Sequence, residues 1–380
     1  MRDAFNDNSI KVPFFQPAID ENDISSVSKA LRFTLLTDGP KLQEFEKKFA
    51  RFIGSKYAVG VSNATSALHL SLKALGIGRG DEVIIPDITF VATASSVLLA
   101  GATPVLADVD YSDYNISVTS IKKNITNRTR AIIPVHFAGK ACNIQQIKKI
   151  AKSNNLFIIE DCAHALGTQI SKKHVGIFGD TGCFSFYPTK NITTIEGGMV
   201  VTNSPKVAEY VRIARSHGIT RSLKQRYTKG KPWDYDVLEA GYNYRLDEIR
   251  ASLGLSQMRK LAHYNKLREE AAKYYNYKLG KINGISLPEI NKNDSNHLYV
   301  IKINQNNRQS RDNLFEKMTS MGVRTTVHYK PLHEFSVFKK KSKHYDSLEN
   351  SKRIYKEIIS LPLYPYITRK EQDYVVSCLK

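Results

Sequence analysis

From residue 20 to about 260, the apolar positions of this chain switch repeatedly between a helical period and short continuous runs. DENDISSVSKAL sets Ile24, Val27 and Leu31 at helical spacing, with Asp20 at the N-cap position. Pro40 opens a second helix, whose stripe of Leu42, Phe45, Phe49 and Phe52 ends at Gly54. YAVGV reads as a buried strand, and NATSALHLSLKAL as a loop feeding a helix. The alternation continues through strand EVIIP, helix VATASSVLLAG, strand TPVLADVD, strand RAIIPVH, helix NIQQIKKIAKSN and strand LFIIED. Short strands rich in β-branched residues and separated by helices predict a mainly parallel sheet covered on both faces, an α/β fold. A single long helix is predicted over NYRLDEIRASLGLSQMRKLAHYNKLREEAAKYYNYKL. It leads to LYVIKI, RDNLFEKMTSMG and VRTTVHYKPLH, which read as a smaller α+β region. The predicted division is a large domain over residues 1–250, with a short N-terminal arm, and a small domain over 251–380.

In such sheets ligands bind beyond the carboxyl ends of the strands. The residues just after each strand are therefore the candidates: Asn63, Pro86–Phe90, His136, Asp161 and the Lys190 region. Asp161 ends LFIIED, and Lys190 follows the short strand CFSF within FSFYPTKNITTIEGGMV. An acid and a lysine at separate strand ends suit pyridoxal phosphate, whose aldehyde needs an amine and whose ring nitrogen needs a carboxylate. A structural salt bridge accounts for the same pair. SNATSALHL adds a helix start where backbone N–H groups, the hydroxyls of Thr65 and Ser66 and the helix dipole suit a phosphate. An ordinary N-cap by Asn63, Thr65 or Ser66 is the plainer reading of that stretch alone. Phe90 is placed to stack on a flat ring or to fill the core, and His164 to meet a ring substituent or to fill space.

Composition adds direction without deciding. The net charge is +20, from 56 basic and 36 acidic residues, concentrated locally in RSLKQRYTKGK (221–231) and KKKSK (339–343). Neither segment interleaves several aromatics, as a surface for stacking bases would. The charge fits an anionic small-molecule substrate, a nucleic-acid binder or merely a Lys-rich solvated surface. No apolar run approaches the roughly 20 residues of a membrane helix. MRDAFNDNSI lacks a signal-peptide pattern. The cysteines at 142, 162, 183 and 378 lack metal-ligand spacing, so a cytoplasmic protein with reduced thiols is the expectation.

The ordered motifs together carry more than any one of them. LTDGPKLQEFEKKFA, SNATSALHL, PDITFVATA, GATPVLADVD, EDCAHALGT, FSFYPTKNITTIEGGMVVTN, RSHG, GYNYRLDEIRASLGLSQM and VHYKPLH span nearly the whole chain. In this order they resemble the DegT/DnrJ/StrS family of pyridoxal-phosphate-dependent aminotransferases acting on nucleotide-linked sugars. The resemblance implies an aspartate aminotransferase-like fold (type I), with a seven-stranded-type, mainly parallel sheet. It makes Lys190 the Schiff-base lysine and Asp161 the partner of the pyridinium nitrogen. Thr65, Ser66 and Ser185 would hold the phosphate, Phe90 would stack on the ring, and His164 would lie by the phenolic oxygen. Asn243 would reach the phosphate of the neighbouring subunit, implying a homodimer with shared active sites. Thr37, Tyr187, His328 and Tyr329 are the implied substrate contacts. Ala64 stands where many relatives have Gly. Lys190 argues against dehydratase relatives, which carry His at that position.

The same resemblance implies glutamate as amino donor and Lys190 as the base that moves the proton between the donor carbon and the cofactor. His164, SFYPTKNITTIEGG and VHYKPLH look most like members that aminate carbon four of a 4-keto-6-deoxy sugar linked to UDP, dTDP or GDP. Carbon-three members more often carry Gln at the His164 position and Asp at that of Glu196, and they remain the alternative. The basic segment, with Trp233, reads either as a grip for a sugar nucleotide's diphosphate from the neighbouring subunit or as a solvated loop, and His328, Tyr329 and Lys330 either as the substrate mouth or, for the tyrosine, as packing. A nonenzymatic regulatory or nucleic-acid-binding protein is the rival from another class, though the resemblance implies neither nucleic acid nor membrane as a partner.

Overall fold

The computed structural model describes residues 9–221, 223–228, 230–303 and 308–379. Residues 1–8 of the expected N-terminal arm, Ser222 and Lys229 of the basic segment, and Lys380 lie outside the described residues.

Nine strands fall in the first two hundred residues. They are β1 (Tyr57–Val61), β2 (Glu82–Pro86), β3 (Thr103–Ala107), β4 (Thr129–Ile132), β5 (Phe157–Asp161), β6 (Gln169–Ile170), β7 (Lys173–His174), β8 (Thr181–Ser185) and β9 (Gly198–Thr202). All but the β6–β7 hairpin form one seven-stranded sheet in the order β1-β9-β8-β5-β4-β2-β3. β9 alone runs against its neighbours, pairing antiparallel with both β1 and β8. The other pairings are parallel, so the carboxyl ends of β2, β4, β5 and β8 share one edge.

Apolar runs rather than alternation mark these strands because both faces are covered. Leu68, Leu70 and Leu72 of helix Ala64–Ala74 pack on one side with Val59, Val83, Ile159 and Val200. Helix Pro40–Ile53 packs on another, bringing Phe45 and Phe49 against Phe184 and Phe186 with ring centroids 5.2–5.5 Å apart in three pairs. The predicted cap at Asp20 forms, with Asp23 closing a reciprocal capping box.

Helix Pro40–Ile53 has no cap of its own, because its N-cap residue is Gly39. The buried carboxylate of Glu248 takes that role from two hundred residues away. It accepts from the backbone N–H groups of Gly39, Lys41 and Leu42 at 3.1, 2.7 and 2.9 Å. A Cβ on Gly39 would lie 2.7 Å from that carboxyl carbon, so the close approach requires glycine. Glu248→Ala strands two buried donors and one half-buried one. It is expected to cost about 3 kcal/mol of unfolding free energy, read as a lower urea midpoint at unchanged m-value.

The predicted long connecting helix is two helices, Glu248–Met258 and Leu261–Leu279, separated at Arg259–Lys260. Neither Gly nor Pro marks the break. Its surroundings are tertiary: Lys260 Nζ reaches Asp20 Oδ1 (2.9 Å) and Asp23 Oδ2 (2.5 Å), while Gln257 Nε2 donates to Asp23 Oδ2 and the Ala18 carbonyl. Beyond it, β10 (Ile285–Ser286), β11 (Tyr299–Ile303) and β12 (Ile358–Leu361) form an antiparallel sheet. Residues 9–19 strap across the molecule. Lys11 and Val12 donate to the Gly322 carbonyl, and Ala18 accepts from Gln257 and Tyr264, which draws Phe14 and Phe15 over the sheet edge. No helix among the described residues is long and apolar enough to cross a membrane.

Candidate active site

A cavity of about 640 Å³ opens beyond the carboxyl ends of β2, β5 and β8. Its volume lies within the range of small-molecule sites. Lys190, Asp161, Thr65, Phe90, His164, Ser185, Tyr187, His328 and Tyr329 all line it. Ser66, Thr37 and Asn243 do not. The Ser66 hydroxyl is turned to Asn63 Oδ1 (3.0 Å) and Ser62 Oγ (2.8 Å). Thr37 is bridged to Asp247, and Asn243 is exposed and bridged to Ser216. Trp233 of the basic region is 72% exposed and also stands apart.

Lys190 is held there by its neighbours in the chain. Ile192 is buried in the core, and Thr193 Oγ1 donates to the Phe186 carbonyl at 3.0 Å. Asn191 Nδ2 donates to Asn265 Oδ1 (2.7 Å) and the Ser295 carbonyl (2.8 Å). Lys190 Nζ itself has no hydrogen bond among the described residues and reaches solvent only partly. Burial lowers its pKa from 10.5 to about 8, against the pull of Asp161 and with the push of Arg268.

Asp161 closes β5 with its carboxylate at the cavity. Thr93 Oγ1 donates to Oδ2 at 3.0 Å and the Ala163 N–H to Oδ1 at 3.1 Å. Burial still raises its pKa above the ordinary carboxylate value, more than these donors and Lys190 lower it. The preceding residue, Glu160, accepts from Gly176, Phe178 and Gly179 N–H groups and pairs with His136 Nε2 at 3.1 Å. The buried His136–Glu160–Cys162 group is therefore a saturated hydrogen-bond knot.

His164 Nε2 and the Tyr329 hydroxyl lie 2.9 Å apart, and the Phe90 ring sits 6.0 Å from that of Tyr329. Burial drives His164 and His297 well below the usual histidine value, and His328 to about 3, so all three are neutral at pH 7. Among the described residues, His164 Nδ1, His297 Nδ1 and Thr325 Oγ1 are buried without partners, and all three residues line the cavity. At the start of helix Ala64–Ala74, Asn63 Oδ1 takes the Ser66 N–H at 2.8 Å. The Ala64 and Thr65 N–H groups have no partner among the described residues. Gly198 lies directly against this turn: a Cβ there would strike the Asn63 carbonyl and sit 2.8 Å from the Ala64 nitrogen.

These features fit a flat, phosphorylated, aldehyde-bearing ring. The donor set offers an unpartnered amine, a buried carboxylate, neutral imidazoles and open amides beside Thr65 and Ser185. What the motifs alone left unread were Thr93, His297, Thr325, Arg268 and the strap residues Phe14 and Phe15. Thr93 lies within PDITFVATA, four residues after Thr89 on a helix entry, but the others carry no local signal.

Comparison with known proteins decides the family. The model of the DegT/DnrJ/EryC1/StrS aminotransferase family matches residues 17–380. The chain belongs to this family. Spore coat polysaccharide biosynthesis protein SpsC of Bacillus subtilis is 36% identical over 376 residues, 97% of this chain and 96% of that protein. Helicobacter pylori PseC, an aminotransferase involved in the biosynthesis of pseudoaminic acid, superposes with a TM-score of 0.89 at 32% identity, covering 96% of this chain and 97% of that one. The sugar aminotransferase Spr1654 of Streptococcus pneumoniae, described as putative, superposes in its PMP form with a TM-score of 0.91 at 28% identity, covering 97% and 98%. It has also been solved in a PLP form. The fold is that of type I aminotransferases, and the family membership makes this DegT/DnrJ/EryC1/StrS chain a sugar aminotransferase.

Proposed function

We propose that the protein is a pyridoxal-phosphate-dependent enzyme that moves an amino group from glutamate to carbon four of a nucleotide-linked 4-keto-6-deoxy sugar. The observation that carries this reading is the convergence of Lys190 and Asp161 on one cavity whose third wall is the open helix start at Ala64–Thr65. Relatives named for PLP and PMP forms and for amino-sugar biosynthesis support it. The choice of carbon four rests on His164 and Glu196, both at the cavity, and on the motifs around Lys190 and His328.

The cofactor supplies an aldehyde that takes up the amine and a ring that accepts electrons. The rest is done by side chains of this chain. The Ala64 and Thr65 amides with Ser185 would hold the phosphate, aided by the positive end of the helix. Asp161, whose carboxylate accepts from Thr93 and Ala163, would hold a proton on the ring nitrogen. The Phe90 face would pack on the ring, and His164 would meet its oxygen. Lys190 Nζ would accept a proton from the donor carbon and deliver it to the carbon of the cofactor that takes up the amine, then move a proton the opposite way for the sugar. Tyr187, His328 and Tyr329 would line the sugar's approach. Asn243, exposed and away from its own cavity, would serve a partner subunit's site in a homodimer.

An amine that must be neutral to accept a proton loses function as pH falls. With Lys190 at about 8, the single-turnover rate with glutamate is expected to fall about tenfold per pH unit below that value, by stopped-flow absorbance. A rate flat from pH 6 to 9 would remove Lys190 from the base role. The substrate is tested with a panel of 4-keto and 3-keto sugar nucleotides plus glutamate, products read by mass spectrometry. Turnover confined to 3-keto substrates would refute the carbon-four assignment.

At the phosphate wall, Gly198→Ala forces β9 away from the Asn63 turn. It is expected to weaken pyridoxal phosphate binding at least about tenfold, measured by absorbance titration, with the far-UV circular dichroism spectrum retained.

A further inference from the structure

Next to Lys190 lies a second void of about 10 Å³, bordered by Lys190, Asn191, Gln257, Tyr264 and Arg268. Arg268 is 3% exposed. Its Nη1 donates to the carbonyl oxygens of Leu363 (2.8 Å) and His297 (3.3 Å), and its Nε has no partner among the described residues. Nor does any carboxylate pair with it among those residues. A buried guanidinium with neutral partners only is an expensive arrangement that packing does not explain. The helix that delivers it also fixes the lysine: Asn265, three residues before Arg268, accepts the hydrogen bond of Asn191.

We infer that Arg268 is a positioning residue for Lys190, a fixed cation without a counter-ion whose charge repels a proton on the neighbouring amine. It is not a catalytic residue, since it lines the small void and not the main cavity. The other groups around the amine leave it this role. Asp161, from the end of β5, attracts the proton. His164, His297 and His328, from three separate segments, are kept neutral by burial. Tyr329 is held protonated, and the Glu196 carboxylate lines the same cavity. Among these groups Arg268 alone carries a charge that opposes protonation, and it lowers the amine further than burial alone.

The inference rests on Lys190 being the reactive amine, so its test leaves the cofactor aside. Full-length protein freed of cofactor is labelled competitively with acetic anhydride across pH, and acetylation of Lys190 is read by peptide mass spectrometry. The unaltered chain is expected to show a midpoint near 8. Arg268→Gln, which keeps a donor but not the charge, is expected to raise it by about one pH unit. Arg268→Lys, which keeps the charge but not the fork, is expected to leave it within a few tenths. A midpoint unmoved in Arg268→Gln overturns the inference, and so does one that moves equally in Arg268→Lys. Should the Gln variant not fold, Arg268→Met, close in length and uncharged, takes its place and is expected to raise the midpoint likewise, an unmoved midpoint there overturning the inference. Failure to bind pyridoxal phosphate would instead sink the functional reading and leave these midpoints standing.

Discussion

Lys190→Ala is expected to abolish transamination, by a factor of about 10⁴ or more, and to remove the visible absorbance that pyridoxal phosphate gains on the protein. The loss follows from position. The Lys190 amine has no hydrogen bond among the described residues, is held by Ile192, Asn191 and Thr193, and faces the cavity with Asp161. Spectrophotometric titration and a coupled glutamate assay check the two halves separately. Retained activity in this variant would end the assignment.

The same residue makes a second, opposite expectation. Held near 8 in the fold against 10.5 when free, the amine lets the unfolded chain bind more protons between those values. Stability should therefore rise with pH from about 8 to 10.5, and the full penalty applies below 8. At pH 7 it amounts to about 3 kcal/mol at most. Lys190→Met, similar in length and uncharged, is expected to make the cofactor-free protein more stable by part of that amount and to flatten the pH dependence. Urea unfolding at pH 7 and pH 10 checks both.

Asp161→Asn is the second large effect. The side chain keeps its shape and one acceptor, but loses the charge that would hold a proton on the ring nitrogen. Turnover is expected to fall about 10²–10³-fold, with cofactor absorbance still present, so binding and chemistry separate. Because Asp161 is the charge that raises the Lys190 pKa, labelling of Lys190 in this variant should reach its midpoint below 8. The carboxyl's own pKa is raised by burial, so the native state binds more protons and loses stability as pH rises through the carboxyl range. The Asn variant should accordingly be more stable than the parent at neutral pH without cofactor. An unchanged turnover number would refute the role given to Asp161.

Much of this molecule is readable from the chain because its signals are local. Alternation of apolar runs with helical stripes placed the strands of the main sheet before Lys190. Asp20, Asn63, Pro40 and Gly54 marked helix ends through interactions within a few residues. Strand ends face one edge in a parallel sheet, so Asp161 and the Lys190 loop could be singled out in advance, and the ordered motifs made the family legible. What the sequence alone could not hold is whatever depends on residues far apart in the chain. The break at Arg259–Lys260 lies where Lys260 and Gln257 turn to Asp20 and Asp23. Glu248 caps a helix begun at Pro40, and Thr93 bonds Asp161 across 68 positions. The family resemblance implies Ser66 as a phosphate ligand, yet its hydroxyl is turned to Asn63 and Ser62. A lysine and an aspartate can be named from the chain. Whether the amine is lone, desolvated and set against a buried Arg268 was decided only by the packing of helix Leu261–Leu279 on the Lys190 loop, because burial and charge act through space and not along the sequence.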